Sequence, residues 1–170
     1  MKAIYLTGFM GVGKTTIGEG LSENLNIPVI DTDQEIEKKL NLKIMEIFAE
    51  YGEDYFRHQE SAILKEMPQK NAIITTGGGI VMKEENRTWM KNNGTIILLS
   101  ADIQTIFERV QKDVNRPLAK KKTIEQLKDL FESRIRFYEE CNYKVETTGK
   151  EIEQIVNEIA ILVKNNEVWK

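Results

Sequence analysis

Eight residues near the amino end, Gly8-Phe9-Met10-Gly11-Val12-Gly13-Lys14-Thr15, have the spacing G-x-x-x-x-G-K-[ST]. Glycines so placed let backbone N–H groups turn inward around phosphate oxygens, and a helix N-terminus just beyond adds positive potential. The chemistry implied is capture of a nucleoside triphosphate. Gly11, Val12, Gly13, Lys14, Thr15 and Thr16 form the nucleotide-binding run, with Lys14 reaching the β and γ oxygens and Thr15 ligating Mg²⁺.

Phosphoryl transfer also needs carboxylates and a place for an acceptor. The apolar stretch 27–30 ends in Asp31, and Asp33 follows two residues later. If the segment is extended, both face one side, so one serves the metal and the other the acceptor. The alternative is that one of them only caps the next helix. Arg57 and Glu60 fall beside the apolar stripe Phe56, Ile63, Leu64 and Met67, and Arg134 lies among Leu127, Leu130, Phe131, Ile135 and Tyr138. An arginine on an inner face needs a carboxylate or a ligand anion, since an unpaired buried charge costs several kcal/mol. Glu60 can hold Arg57 at i,i+3, and the planar forks of both arginines suit an acidic substrate. The run Gly77-Gly78-Gly79 lets backbone approach a ligand closely, and Arg116-Pro117-Leu118 places an arginine where a closing lid could neutralise phosphoryl charge.

These groups must be positioned by regular elements. Short apolar runs at 3–6, 29–30, 72–74, 96–99 and 143–145 read as buried strands, each followed by a helical pattern. Ile17, Leu21 and Leu25 stripe the helix starting near Lys14, and Ile152, Ile155, Val156, Ile159 and Val163 stripe the last one. The alternation predicts a parallel sheet covered by helices on both faces. Capping-box spacing at Thr32 with Glu35, and at Thr123 with Gln126, marks two helix starts. The stretch 113–122, with Asn115, Pro117 and three consecutive lysines, reads as a mobile loop inside the domain.

Composition narrows the function classes. A chain of 170 residues fits one domain, 1–170, and its net charge of −3 supplies no basic field for a nucleic-acid backbone. One cysteine, Cys141, and one histidine, His58, exclude a disulfide framework and a Cys/His zinc cluster. His58 reads as a surface residue. No stretch reaches the ~20 apolar residues of a membrane-spanning helix, so a cytoplasmic protein without membrane or nucleic-acid partners is expected, as a monomer.

Taken in order, the phosphate loop, Asp31-Thr32-Asp33, Phe56-Arg57-x-x-Glu60, the triple glycine, Arg116-Pro117-Leu118 and Arg134-x-x-x-Tyr138 resemble the shikimate kinase family over about residues 2–163. The resemblance implies a three-layer α/β/α P-loop kinase fold with a five-stranded parallel sheet, a mobile lid at about 113–123 and an acceptor-binding region at about 33–60. It implies transfer from ATP, with Mg²⁺, to the 3-hydroxyl of shikimate. Asp33 would hold the acceptor hydroxyls and activate one of them. Arg57 and Arg134 would take the carboxylate, with Gly78 and Gly79 contributing backbone. Lys14 and Arg116 would stabilise the transferred group, Thr15 would ligate the metal, Asp31 would reach it through water, and Arg109 would pack on adenine. Two departures stand out: Arg136 replaces a proline usual in the family and competes with Arg134 for the carboxylate, and 146–150 lacks the proline found near adenine in some members. The competing classes are another small-metabolite kinase, such as a gluconate kinase, and a GTPase-like switch. Arg57, Arg134 and Asp33 speak against the first, and the lack of N-K-x-D and D-x-x-G speaks against the second.

Overall fold

A computed structural model describes residues 1–113 and 117–168 of the chain. The elements run β1 (Ala3–Thr7), α1 (Lys14–Leu25), β2 (Val29–Asp31), α2 (Thr32–Leu40), α3 (Ile44–Glu66), β3 (Ile73–Thr75), α4 (Glu84–Asn93), β4 (Gly94–Ser100), α5 (Ile103–Lys112), α6 (Pro117–Lys120), α7 (Ile124–Tyr138), β5 (Tyr143–Glu146) and α8 (Ile152–Val168), with a 3₁₀ turn over Ile80–Met82. The expected strands all form. Their order across the sheet is β2-β3-β1-β4-β5, and every pairing is parallel.

Burial on both faces explains why β1 and β4 read as continuous apolar runs instead of alternating ones: every residue of each is buried. Successive side chains in a strand point to opposite faces. Tyr5 therefore turns toward Trp89 of α4 while Leu6 turns toward Gly18 of α1, so these two helices cover opposite sides of the sheet. Helix α8 packs along α1, with Val156 against Gly20. Among the described residues no helix is long and apolar enough to cross a membrane.

Two local expectations are corrected. Thr32 does not cap α2; Asp31 does, because its carboxylate Oδ1 accepts from the Asp33 and Gln34 amides at 3.0 and 3.1 Å. The stripe of Phe56, Ile63, Leu64 and Met67 lies on the second of two helices within α3, which meet at a kink at Gly52, whose φ of 82° is non-helical. Within the loop-like stretch 113–122 a short helix, α6, forms. The second capping box is present as read: Thr123 Oγ1 accepts from the Gln126 amide, and the Gln126 side chain accepts from the Thr123 amide.

Helix α1 lies so close to the sheet that a Cβ on Gly18 would sit 2.6 Å from Thr75 Cγ2 and 3.2 Å from Val29 Cγ2. Both neighbours are β-branched and stiff, so they cannot yield cheaply. A Gly18→Val substitution is therefore expected to lower stability by about 2 kcal/mol or more, read as a lower urea midpoint at unchanged slope.

Candidate active site

The carboxyl ends of β1, β3 and β4 adjoin, so the segments that follow them meet at one edge of the sheet. After β1 the chain turns through Gly8, Gly11 and Gly13, with φ of 144°, 79° and 99°, values that side chains strongly disfavour. Gly13 is the N-cap of α1 and offers no side chain to satisfy the first-turn amides, which leaves them to a ligand. Thr15 and Thr16 sit exposed in that first turn. Lys14, 8% exposed, donates from Nζ to the carbonyls of Gly8 (2.7 Å) and Phe9 (2.9 Å), which keeps its ammonium over the concave side of the loop.

Two residues from the far side of the sheet back this loop. Arg109 of α5 donates from Nη1 to Val12 O (3.3 Å), Gly11 O (3.4 Å) and Thr147 Oγ1 (3.3 Å). Thr147, fully buried just past β5, in turn donates to Val12 O at 3.5 Å. No sequence motif flags Thr147, because a buried threonine after a strand is ordinary composition.

The two aspartates differ in their settings. Asp31 is committed on both oxygens, since Oδ2 accepts from Thr75 Oγ1 at 2.7 Å while Oδ1 caps α2. Asp33 is not in extended chain but in the first turn of α2, and its carboxylate points at Gly77, where a Cβ would lie 2.7 Å from Oδ1. Thr32, missed as anything but a cap, is fully buried, and its Oγ1 accepts from the Gly77 amide at 3.3 Å. The start of α2 and the triple-glycine loop are thus joined.

On the other side of that loop lies Arg57. Its Nη1 donates to Glu60 Oε2 at 2.6 Å, and its Nη2 and Nε reach Glu53 Oε1 at 3.2 and 3.3 Å. The guanidinium rests against Gly79 so closely that any Cβ there would overlap it. Burial works against the Arg57 charge, but Glu60 and Glu53 outweigh it and raise its pKa, so Arg57 is a fixed cation. Glu60 is 1% exposed, and burial raises its carboxyl above the usual range against the pull of Arg57 and the field of Arg134. Among the described residues its Oε1 has no hydrogen-bond partner.

Helix α7 completes the enclosure. Tyr138, 2% exposed, donates its phenolic hydrogen to the Gly78 carbonyl, and burial pushes its pKa up to about 12, so it stays a neutral donor. Arg134 is near enough to act on both Tyr138 and Glu60. Arg136 is exposed and lies over the Phe137 ring, 4.5 Å from its centroid, so α7 brings Arg134 and not Arg136 to the cluster. Gly78 in turn is 3.5 Å, measured from where a Cβ would be, from the Met10 amide of the phosphate loop. Lys14, Asp33, Arg57, Gly78, Gly79 and Arg134 therefore line one region; Arg116 lies outside the described residues. His58 is exposed, as expected.

Comparison with known proteins shows the family. A family profile described as shikimate kinase matches residues 10–164. The shikimate kinase of Bacillus anthracis is 53% identical over 159 residues, covering 94% of this chain and 96% of that one. The shikimate kinase of Persephonella marina is 46% identical over 160 residues, covering 94% and 97%. Among solved structures, a shikimate kinase from Acinetobacter baumannii in complex with shikimate superposes with a TM-score of 0.91 at 34% identity, covering 98% of this chain and 94% of that one.

The raised Glu60 carboxyl has a measurable sign. Its folded-state pKa exceeds its unfolded one, so the native state holds the proton longer, and stability falls as pH rises from the ordinary carboxyl range through the folded value. Thermal unfolding of wild type and Glu60→Gln is expected to show the wild type losing ground to the variant as pH increases through that window; a constant difference would mean that burial does not shift this group.

Proposed function

We propose, for a chain that belongs to the shikimate kinase family and transfers a phosphoryl group from ATP to the 3-hydroxyl of shikimate, that Arg57, Arg134 and the amides of Gly78 and Gly79 hold the acceptor. The observation that carries this is the Arg57 guanidinium seated on Gly79, a fixed cation facing the same region as Lys14 and Asp33. A compact hydroxylated acid needs a bidentate cation for its carboxylate and a carboxylate for its hydroxyls. Arg57 and Arg134 supply the first and Asp33 the second.

In the transfer itself, Asp33 orients the 3-hydroxyl and accepts its proton as the oxygen attacks in line. Lys14 shifts its hydrogen bonds from the Gly8 and Phe9 carbonyls to phosphate oxygens, and the uncapped first turn of α1 receives the rest of the negative charge. Arg109 and Thr147 hold the back of the loop and border the adenine side. Most of the acceleration then comes from positioning and charge neutralisation. Arg116, in a lid of about 113–123, keeps the role that the family resemblance gives it, neutralising charge on the phosphoryl group as the lid closes.

The residues also fit Mg²⁺. Among the described residues there is no cluster of three or more His, Cys, Asp or Glu, which suits an ion that keeps most of its waters and takes few protein ligands. The exposed Thr15 hydroxyl would hold it directly. Asp31, whose Oδ2 keeps a lone pair beyond its hydrogen bond from Thr75 while Oδ1 is filled by two amides, would hold it through water. The ion, when bound, neutralises charge on the β and γ phosphates.

The test is ADP release from ATP and Mg²⁺ with shikimate, quinate, gluconate and nucleoside monophosphates as alternative acceptors. Turnover is expected with shikimate, and Asp33→Asn is expected to lower kcat by about 10² to 10⁴ with ATP binding retained. Preference for another acceptor, or an Asp33→Asn variant of normal kcat, would overturn the assignment of these roles.

A further inference from the structure

The loop that carries Gly78 and Gly79 is held in an unusual way. Every carbonyl from Gly77 to Met82 is occupied: Gly77 O by the Ile80 amide (3.2 Å), Gly78 O by Tyr138, Gly79 O by the Met82 amide (3.0 Å), Ile80 O by Asn86 Nδ2 (3.0 Å), and Val81 O and Met82 O by Arg87 Nη1 (2.8 and 3.3 Å). Among the described residues the Gly78 and Gly79 amides make no hydrogen bond. A backbone whose carbonyls are all turned into protein presents its remaining N–H groups outward.

Arg87 ties the far end of this loop to the segment just past α7. It is 8% exposed, its Nε donates to Glu140 Oε1 at 3.0 Å, and its guanidinium lies over the Phe137 ring, 4.6 Å from the centroid. Phe137 and Glu140 flank Tyr138, the residue that holds Gly78, one turn beyond Arg134. Lys91 anchors the same carboxylate at 2.7 Å.

We propose that Arg87, with Asn86 beside it, is a positioning residue of the acceptor site: it locks the turn over Ile80–Met82 to the end of α7, and so fixes the Gly78 and Gly79 amides in register with Arg134. The proposal rests on the acceptor reading above. Because Arg87 touches neither the phosphate loop nor Asp33, its effect falls on acceptor binding and not on ATP. Only an arginine can meet two carbonyls, a carboxylate and an aromatic face at once. Lysine keeps the charge but loses the fork, so it rescues in part.

Steady-state kinetics of Arg87→Gln, Arg87→Lys and Glu140→Ala test this, with unfolding midpoints measured alongside. Arg87→Gln is expected to raise KM for shikimate about tenfold or more while KM for ATP stays within about twofold. Arg87→Lys should recover part of that loss. Glu140→Ala, a partly exposed position that leaves the core intact, should raise KM for shikimate less. An unchanged acceptor KM in Glu140→Ala and in whichever Arg87 variant folds, or equal rises for both substrates, would overturn the proposal. A wild type inactive with shikimate would instead sink the acceptor reading on which it rests.

Discussion

A guanidinium packed against backbone, with one carboxylate almost wholly buried beneath it, sets the terms for this end of the molecule. Arg57 and Glu60 stand one helical turn apart on α3, and neither would be tolerated at that depth without the other. The pair demands a neighbour with no side chain, which Gly79 provides, and it demands that Gly79 stay in place. The rest of the proposed acceptor side follows from that demand. Thr32 holds Gly77 from the β2 side, Tyr138 holds Gly78 from α7, and the 3₁₀ turn is secured by the start of α4. Helices α2, α3, α4 and α7 converge to keep one short loop in position.

The phosphate loop is built on the opposite economy. There, conformational freedom at Gly11 and Gly13 is used to expose amides, and the buried cation of the loop, Lys14, donates to carbonyls of the loop itself. Such carbonyl hydrogen bonds exchange for phosphate oxygens at small cost. The two halves touch through Gly78 and Met10. A parallel sheet of order β2-β3-β1-β4-β5 makes that contact unavoidable, since β1 and β3 are neighbours and both loops leave from their carboxyl ends.

What the sequence discloses depends on whether a feature is local. The strands, the stripe on α1, the Thr123 capping box and the Arg57 to Glu60 spacing are all patterns within a few residues, and each is present in the fold. The Asp31 region misled because two readings fit it, and hydrogen bonds to Asp33 and Gln34 decide for a cap followed at once by helix. Gly52 breaks a helix that hydrophobic spacing alone reads from its second half. Arg87, Thr147 and the role of Thr32 were illegible, because their partners are supplied by chain remote in sequence, and no periodicity reports such contacts. The choice of Arg134 over Arg136 has the same origin: which side chain meets Glu60 depends on how α7 is rotated against α3.

The central claim is that the fit of Arg57 against a residue without a Cβ shapes the acceptor site. A Gly79→Ala variant tests it most directly, by titrating shikimate and ATP separately. The account predicts that KM for shikimate rises about tenfold or more, equivalent to ~1.4 kcal/mol of lost binding, with KM for ATP nearly unchanged. A variant that binds shikimate as the wild type does would contradict it.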